Sequence, residues 1–557
     1  LTPIALVEKA TAEVEARPDL DATTRGLLLQ RLGNSLTGLG RHSDALRVLE
    51  NSRKLLVTEL GDDHPALART YQSLGWLEYA RGNLLASRDY FERSLRLQKK
   101  RLPGWEVEYT LTAIQSQYAL VLAELEEYAT AMELADTART NRARLVGTND
   151  DPRLAESNFA LGVVALMAHD YAPALRASQA GAAVVQKNKN SDPLAYAVGL
   201  FQEGVLDQFL RNNPAAGAVK LRQALDVTRK ELGDANLYTL LARAQLALLE
   251  KEAGQNEAAL ANFRECFKGA RDLQVITHPR AVVMIEEMTE LLVHEKRGTD
   301  ARQVVNDWLA EHRKVNARGL GYADALTLAA RVYRRTGDPA RERAMLEEAR
   351  SIYTTPPVVP RRQYLVNLEG LGQNYARAGR WADSEAVYTE WLDRARTWYP
   401  DRVEPHEVAD ATANRAKAVL RQGRFPTELA EQLTSVQKSL KSDMRDERVR
   451  ARCRLRLAEY YAHQNQPAQS VAEYRLAVKK TDQAGDLADA AEGLAMAATR
   501  TARDERATLE LEALDALARA VGLNYRGVKR VESSPAFRAL TEHPKYHELL
   551  EKMREGQ

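Results

Sequence analysis

The sequence predicts an all-α, right-handed superhelical solenoid of about twelve antiparallel helix pairs. Three observations carry that expectation. At 557 residues the chain is too long for one ordinary core, so several domains or a repeat array must bury its apolar surface. Ala, Leu, Arg and Glu dominate and aromatic residues make up only 6%, a mixture with high helix propensity and little of the β-branched clustering that strands need. A small residue, often glycine, recurs at steps of about 42 residues, each time after a stretch of helical apolar spacing such as Leu67, Tyr71, Leu74 and Leu77.

The register follows from those small residues. Gly40, Gly82, Gly254, Gly298, Gly337, Gly379 and Gly423 are expected to end the first helix of a pair. A helix that stops and reverses needs a left-handed residue at its end, which glycine adopts without steric cost and asparagine nearly so. Between Gly82 and Gly254 the unit continues without turn glycines, through ELEEYATAM (Glu124–Met132), MAHDYAPAL and LRNNPAAGA, and after Gly423 through AHQNQPAQS. Asn212 and Asn465 are the expected replacements. Upstream, Leu32-Gly33, Leu74-Gly75, Leu161-Gly162, Leu371-Gly372 and Leu457-Ala458 place a small residue where the two helices of a pair approach closely. Downstream, Ala45, Ala174, Ala259 and Ala386, with Tyr90, Phe263 and Tyr388, are expected as the packing residues of the second helix.

On these residues a family resemblance rests. GDDHPALARTYQSLGWLEYARGNLLASRDYFERSLRL (Gly61–Leu97) resembles the longer tetratricopeptide unit typified by kinesin light chain, with its His-Pro turn, Leu-Gly pair, Gly-Asn turn and Tyr-Phe knobs. Glu231–Phe263 is similar without the His-Pro, and Trp105–Arg222 departs by lacking the turn glycines. The resemblance implies a superhelix whose first helices line a concave face that binds a protein or an extended peptide. Arrays of this kind occur in bacterial multidomain signalling proteins such as serine/threonine kinases, and Ser534–Met553 is similar to the tail that closes them. A chain that starts at Leu1 without an initiator Met is accordingly expected to be one part of a larger protein.

Interruptions are few. GTNDDP (Gly147–Pro152) and KNKNSDP (Lys187–Pro193) are polar inter-repeat loops. TTPPVVPRR (Thr354–Arg362) cannot continue a helix, because proline lacks the amide donor and favours an extended path. It divides an expected N-terminal superhelix, 1–353, from C-terminal repeats and a helical cap, 363–557; a long loop inside a continuous array is the alternative.

Catalytic chemistry finds little footing. Val-Ala-x-Lys, His-Arg-Asp, Asp-Phe-Gly and the Gly-x4-Gly-Lys-Ser/Thr phosphate loop are all absent from the sequence. His64, His278 and His543 precede proline as turn residues, and His294, His406 and His547 begin His-Glu pairs without a second His four residues on. Cys266 and Cys453 stand far apart, each inside a helical pattern, which argues against a disulfide or thiolate metal site. No enzyme activity, metal or cofactor is expected. A net charge of +2 gives no global field for nucleic acid or an anionic membrane, and no apolar run reaches the length of a bilayer span. The cytoplasm is the expected compartment, with the extracytoplasmic part of a membrane-anchored protein as the alternative.

The concave face suggests a partner. Counting from the small residue after each Leu, inward positions fall one and five residues later. In the later repeats the outer position reads Arg335, Arg377, Arg421 and His463, and the other reads Arg331, Gln373, Lys417 and Glu459. A basic ladder of this kind would hold the carboxylates of an extended acidic peptide by charge-assisted hydrogen bonds. The alternative is that each arginine pairs with an acid of the neighbouring helix. The early repeats offer Asn34, Gln72 and Trp76 instead, and the ladder lacks the interleaved aromatics that single-stranded nucleic acid would stack on. The expected function is a non-catalytic scaffold that recruits or senses a protein or peptide for a larger signalling protein. A regulatory array for a kinase or caspase-like peptidase domain outside the chain, and an oligomerising scaffold, are the other readings.

Overall fold

The computed structural model describes residues 3–17, 19–148, 151–189, 192–234, 236–273, 275–400 and 402–555, so the centres of the two polar loops, Asn149-Asp150 and Asn190-Ser191, lie outside the described residues. Two compact units emerge, Leu1–Tyr364 and Leu365–Gln557. All regular structure among the described residues is helical. A lead helix, Pro3–Glu15, precedes twelve antiparallel pairs.

In unit 1 the first helices of pairs 1 to 8 are Ala22–Gly38, Ala68–Ala80, Trp105–Glu124, Leu154–Met167, Pro193–Phe209, Leu237–Glu252, Pro279–His294 and Leu320–Arg335. Their second helices are His42–Leu60, Leu84–Gln98, Tyr128–Val146, Tyr171–Lys187, Pro214–Leu232, Asn256–Asp272, Gly298–Asn316 and Pro339–Tyr353. Pairs 9 to 12 are Arg362–Arg377 with Trp381–Trp398, Pro405–Arg421 with Thr427–Lys438, Met444–His463 with Pro467–Lys480, and Ala484–Ala498 with Arg503–Gly522. A short helix, Val528–Ser533, a 3-10 turn, Pro535–Leu540, and a last helix, Pro544–Glu555, close unit 2. The boundary between the units falls inside the first helix of pair 9, and the proline-rich segment belongs to unit 1.

The reversals are made where the chain turns left-handed. Gly40, Gly82, Gly254, Gly337, Gly379 and Gly423 all have φ between 72° and 81°. Asn212 and Asn465 take the same conformation, and Glu126, His169 and Lys296 do so without the help of glycine or asparagine. Gly298 is therefore not a turn residue: the reversal of pair 7 is made by Lys296, and Gly298 opens the next helix. Five residues beyond each reversal the second helix usually carries a small buried residue, as at Ala45, Ala131, Ala174, Ala259 and Ala301. In pair 9 that residue is Ser384, whose hydroxyl donates to the Gly372 carbonyl at 2.9 Å, while Ala386 is exposed two positions further on. The same serine bond recurs from Ser87 to Gly75 at 2.6 Å and from Ser470 to Ala458 at 2.9 Å. Helix approach inside a pair explains the preceding glycines: a Cβ on Gly372 would lie 2.5 Å from the Tyr388 ring.

First helices of neighbouring pairs pack on one another, as in pairs 1 and 2, 3 and 4, 7 and 8, 10 and 11, whereas their second helices make no comparable contact. That asymmetry splays the second helices outwards and makes the first helices the inner face of each unit.

Unit 1 also closes on itself. The left-handed turns of pairs 1, 2 and 3 rest against the loops that follow pairs 6, 7 and 8. Gly40 meets Leu273; Thr277 donates to the Arg81 carbonyl at 2.9 Å; Asn316 lies 3.5 Å from Asn83; and Arg361 donates to the Glu124 carbonyl at 2.9 Å. These partners stand 233 residues apart at Asn83 and Asn316 and 237 apart at Glu124 and Arg361, about five and a half repeats of roughly 42 residues. The half-integer has a geometric cause. Turns within pairs sit on one edge of the array and loops between pairs on the other, so one superhelical turn brings opposite edges together.

Candidate functional site

The inner face of unit 1 changes character along the chain. In pairs 1 to 3 it is polar and aromatic. Asn34, Gln72 and Gln117 from three successive first helices, with Trp76 and Tyr109, line a cavity of about 570 Å³. Its opposite wall comes from the start of pair 6, Asn236 to Tyr238, and from Leu273 and Val275, which the superhelical turn brings across. Gln72 donates to Gln117 at 3.0 Å and Gln30 to the Ser73 hydroxyl at 2.8 Å. Primary amides both donate and accept, and so match the alternating groups of a peptide backbone.

In pairs 4 to 6, and at Val283 of pair 7, the inner face carries apolar side chains. Val163, Leu166 and Met167, then Phe201, Val205 and Phe209, then Leu241 and Leu248, and finally Val283 line a second cavity of about 390 Å³. None of these side chains is buried; Phe209 is 58% exposed and Val283 51%. Val163, Met167, Val205, Phe209 and Leu248 occupy the inward positions counted above, one and five residues beyond the small residue. The signal was present in the sequence and needed only the same count carried through the repeats that lack turn glycines.

The basic ladder is more engaged. Arg331 pairs with Glu286 at 2.6 Å and Arg335 with Glu290 at 2.8 Å, both acids on the preceding first helix. In unit 2, Gln373 donates to Glu369 at 2.8 Å, Lys417 reaches Asp489 at 3.0 Å and Arg421 reaches Glu459 at 3.6 Å. Arg377 is exposed at the end of its helix. His463 stacks on Phe425 with ring centroids 4.0 Å apart, and burial lowers its pKa. The Arg331, Arg335, Lys417 and Arg421 heads thus already face carboxylates that an acidic partner would have to displace.

Asp489 is the centre of this arrangement. Lys417, Arg456 and Arg530 converge on it at 3.0, 2.7 and 2.6 Å, and Arg530 also holds Glu492 at 2.6 Å. Burial alone would raise the Asp489 pKa, but the three cations hold it well below the usual carboxylate range. Cys266 and Cys453 are buried, with thiol pKa values pushed up to about 12 by desolvation, and each thiol points at a backbone carbonyl. His64 and His543 accept backbone N–H groups two residues on. Among the described residues no three His, Cys, Asp or Glu groups converge as metal ligands, and no helix is long and apolar enough to cross a membrane.

An inner face built from the first helices of stacked pairs defines a helical-repeat scaffold. Residues 24–100, covering pairs 1 and 2, match the family described as tetratricopeptide repeat. No curated protein matches the chain. Similar solved structures include yeast Tom70, at 12% identity and TM-score 0.34 over 93% of this chain and 99% of that one. The apo form of the quorum sensor NprR from B. thuringiensis is similar at 14% identity and TM-score 0.39, over 66% and 97%. The nearly identical tetratricopeptide-like repeats of a Podosopora anserina putative kinesin light chain are similar at 15% identity and TM-score 0.24, over 45% and 98%. These are likenesses of fold.

Proposed function

We propose that unit 1 binds a peptide segment of a partner protein along its inner face, with apolar side chains seated between Val163 and Val283 and the peptide backbone continuing past the amides of pairs 1 to 3. The observation that carries this reading is the apolar inner face of pairs 4 to 6. Residues such as Phe209 and Val205 hold no core together there, and a surface lined by them is covered at a gain of ~25 cal/mol per Å² of apolar area. In this reading the array is a recruiting or sensing element of a larger signalling protein, and it performs no chemistry itself. The ladder of Arg331, Arg335, Gln373, Arg377, Lys417, Arg421 and His463 is a weaker candidate for holding a partner, since acids of the array already engage Arg331, Arg335, Lys417 and Arg421. An array of immobilised 15-residue peptides of varied pattern tests the reading. The wild-type chain is expected to retain peptides with apolar residues at regular spacing, and Val205→Glu with Phe209→Glu to lose them at unchanged helicity. Equal retention by the double variant, or retention governed by peptide acidity alone, would move the site elsewhere.

A further inference from the structure

A solenoid is held together by contacts between neighbouring repeats. The contacts between pairs 1 to 3 and the loops after pairs 6 to 8 are therefore additional to what the fold needs. They are also made by turns and loops, and mix polar bonds with apolar touches such as Leu273 on Gly40. Among the described residues no helix of pairs 1 to 3 packs extensively along a helix of pairs 6 to 8; the seam includes turn-to-loop touches such as the Thr277, Asn316 and Arg361 bonds already described and the edge contact of Tyr79 on His278. A seam of that kind can part without unfolding either side.

One element of it is built differently. The proline-rich segment Thr354–Arg362 runs across the seam and carries as its penultimate residue Arg361, which is only 7% exposed. Its guanidinium holds Asp324 through Nε at 2.9 and 3.1 Å and again through Nη2, while Nη1 reaches over to the Glu124 carbonyl. Tyr353 donates to the same Asp324 carboxylate at 2.6 Å. Burial alone would lower the Arg361 pKa, but Asp324 overrides it and the group stays charged. The next residue makes the return contact. Glu126, left-handed at φ 66° where a glycine would be unstrained, accepts the Arg362 amide with both carboxylate oxygens, at 2.9 and 2.8 Å. A non-glycine turn in the left-handed region thus has its side chain capping a segment 236 residues away. Val359 packs beside it, against the apolar core of pairs 2 to 4.

We propose that Thr354–Arg362 is a strap, with Arg361 as its catch, that fastens unit 1 into a closed superhelical turn, and that letting go of Arg361 parts the seam and opens the inner channel. The opening stands on the seam geometry alone; only its consequence for peptide uptake rests on the binding reading above.

The test is cross-linking of the full chain carrying Asn83→Cys and Asn316→Cys with a short bis-maleimide, Cys266 and Cys453 being buried and protonated. Arg361→Lys keeps a cation beside Asp324 but loses the planar fork that spans Asp324 and the Glu124 carbonyl. It is expected to slow cross-linking about tenfold, as the loss of a charge-assisted hydrogen bond would. It should also raise the radius of gyration in small-angle scattering at unchanged far-ultraviolet dichroism. A second pair of variants separates the seam from the turn. Gly82→Ala and Gly254→Ala cost the same left-handed strain, but only at Gly82 would the new Cβ lie 2.2 Å from the Thr277 carbonyl oxygen across the seam. Gly82→Ala should slow cross-linking and Gly254→Ala should not. Wild-type rates in both Arg361→Lys and Gly82→Ala would overturn the strap. A fluorescent amphipathic peptide added to the same proteins reads the other claim: slower cross-linking with no peptide bound to any of them would uphold the strap and remove the binding site.

Discussion

Pairs 4 to 6 of unit 1 and pairs 10 and 11 of unit 2 dress the same chassis with opposite side chains. In unit 1 the inward positions of pairs 4 to 6 carry Val163, Met167, Val205, Phe209 and Leu248, which line an open channel. In unit 2 the corresponding positions of pairs 10 and 11 carry Lys417, Arg421, Glu459 and His463, and most of these charges are spent on Asp489 and its neighbours. A stretch of inner face can stay apolar and open, or be cross-linked by ion pairs between successive first helices, as it also is at Arg331–Glu286 and Arg335–Glu290 of unit 1, but one residue does not serve both ends. The contrast teaches that basic residues on a concave face are evidence of binding only after their partners within the array have been counted.

The sharpest way to break this comparison is Asp489→Ala. It leaves Lys417, Arg456 and Arg530 without their shared buried carboxylate, a loss of about 3–5 kcal/mol. Calorimetry should show the transition of unit 2 shifted downwards and that of unit 1 in place; a single common shift would mean that the units do not melt separately.

Acid should act in the reverse order. Burial pushes the His312 pKa down to about 4 from 6.5, with Asp324 opposing the shift. The unfolded imidazole therefore takes up a proton that the folded one refuses, and unit 1 loses stability as the pH falls from about 6.5 towards 4, roughly 3 kcal/mol over the whole window. Asp489, held below the ordinary carboxylate range, keeps its full contribution only above that range and loses it progressively as the pH falls through and below it, well after His312 has acted. Between pH 7 and 5 the melting temperature of unit 1 should drop, and His312→Gln should remove most of the drop. An unchanged slope in that variant would assign the acid response to other groups.

Smaller effects sharpen the contrast. Arg335→Ala breaks a half-exposed pair with Glu290 and should cost less than about 1 kcal/mol in urea unfolding. Phe209→Ser removes an apolar side chain that is 58% exposed and should change stability by no more than about 0.5 kcal/mol while weakening peptide capture. A loss of several kcal/mol at Phe209 would show it to be core, and the channel to be a packing defect rather than a site.

Much of the local structure was legible. Six turn glycines and two turn asparagines sit where the left-handed residue was expected, because that conformation is fixed by the residue's own sterics. Lys296 and Glu126 were not legible as turn residues, since nothing in either side chain favours a positive φ; Glu126 is placed there with its carboxylate on Arg362, far along the chain. Ala386 was misassigned for a related reason. Serine fills the small position as well as alanine and adds a bond to the facing carbonyl, so composition alone chose the wrong neighbour.

By itself, then, the sequence determined the helix pairs, their repeat length, their close-approach residues and which positions face inward, all of which depend on spacings shorter than one repeat. Tertiary structure alone decided which inward charges are already paired and where the array meets itself. Ion pairing depends on the acids that neighbouring helices happen to present. Closure depends on a small rotation per repeat summed over separations of 196 to 237 residues, a quantity that no single motif records.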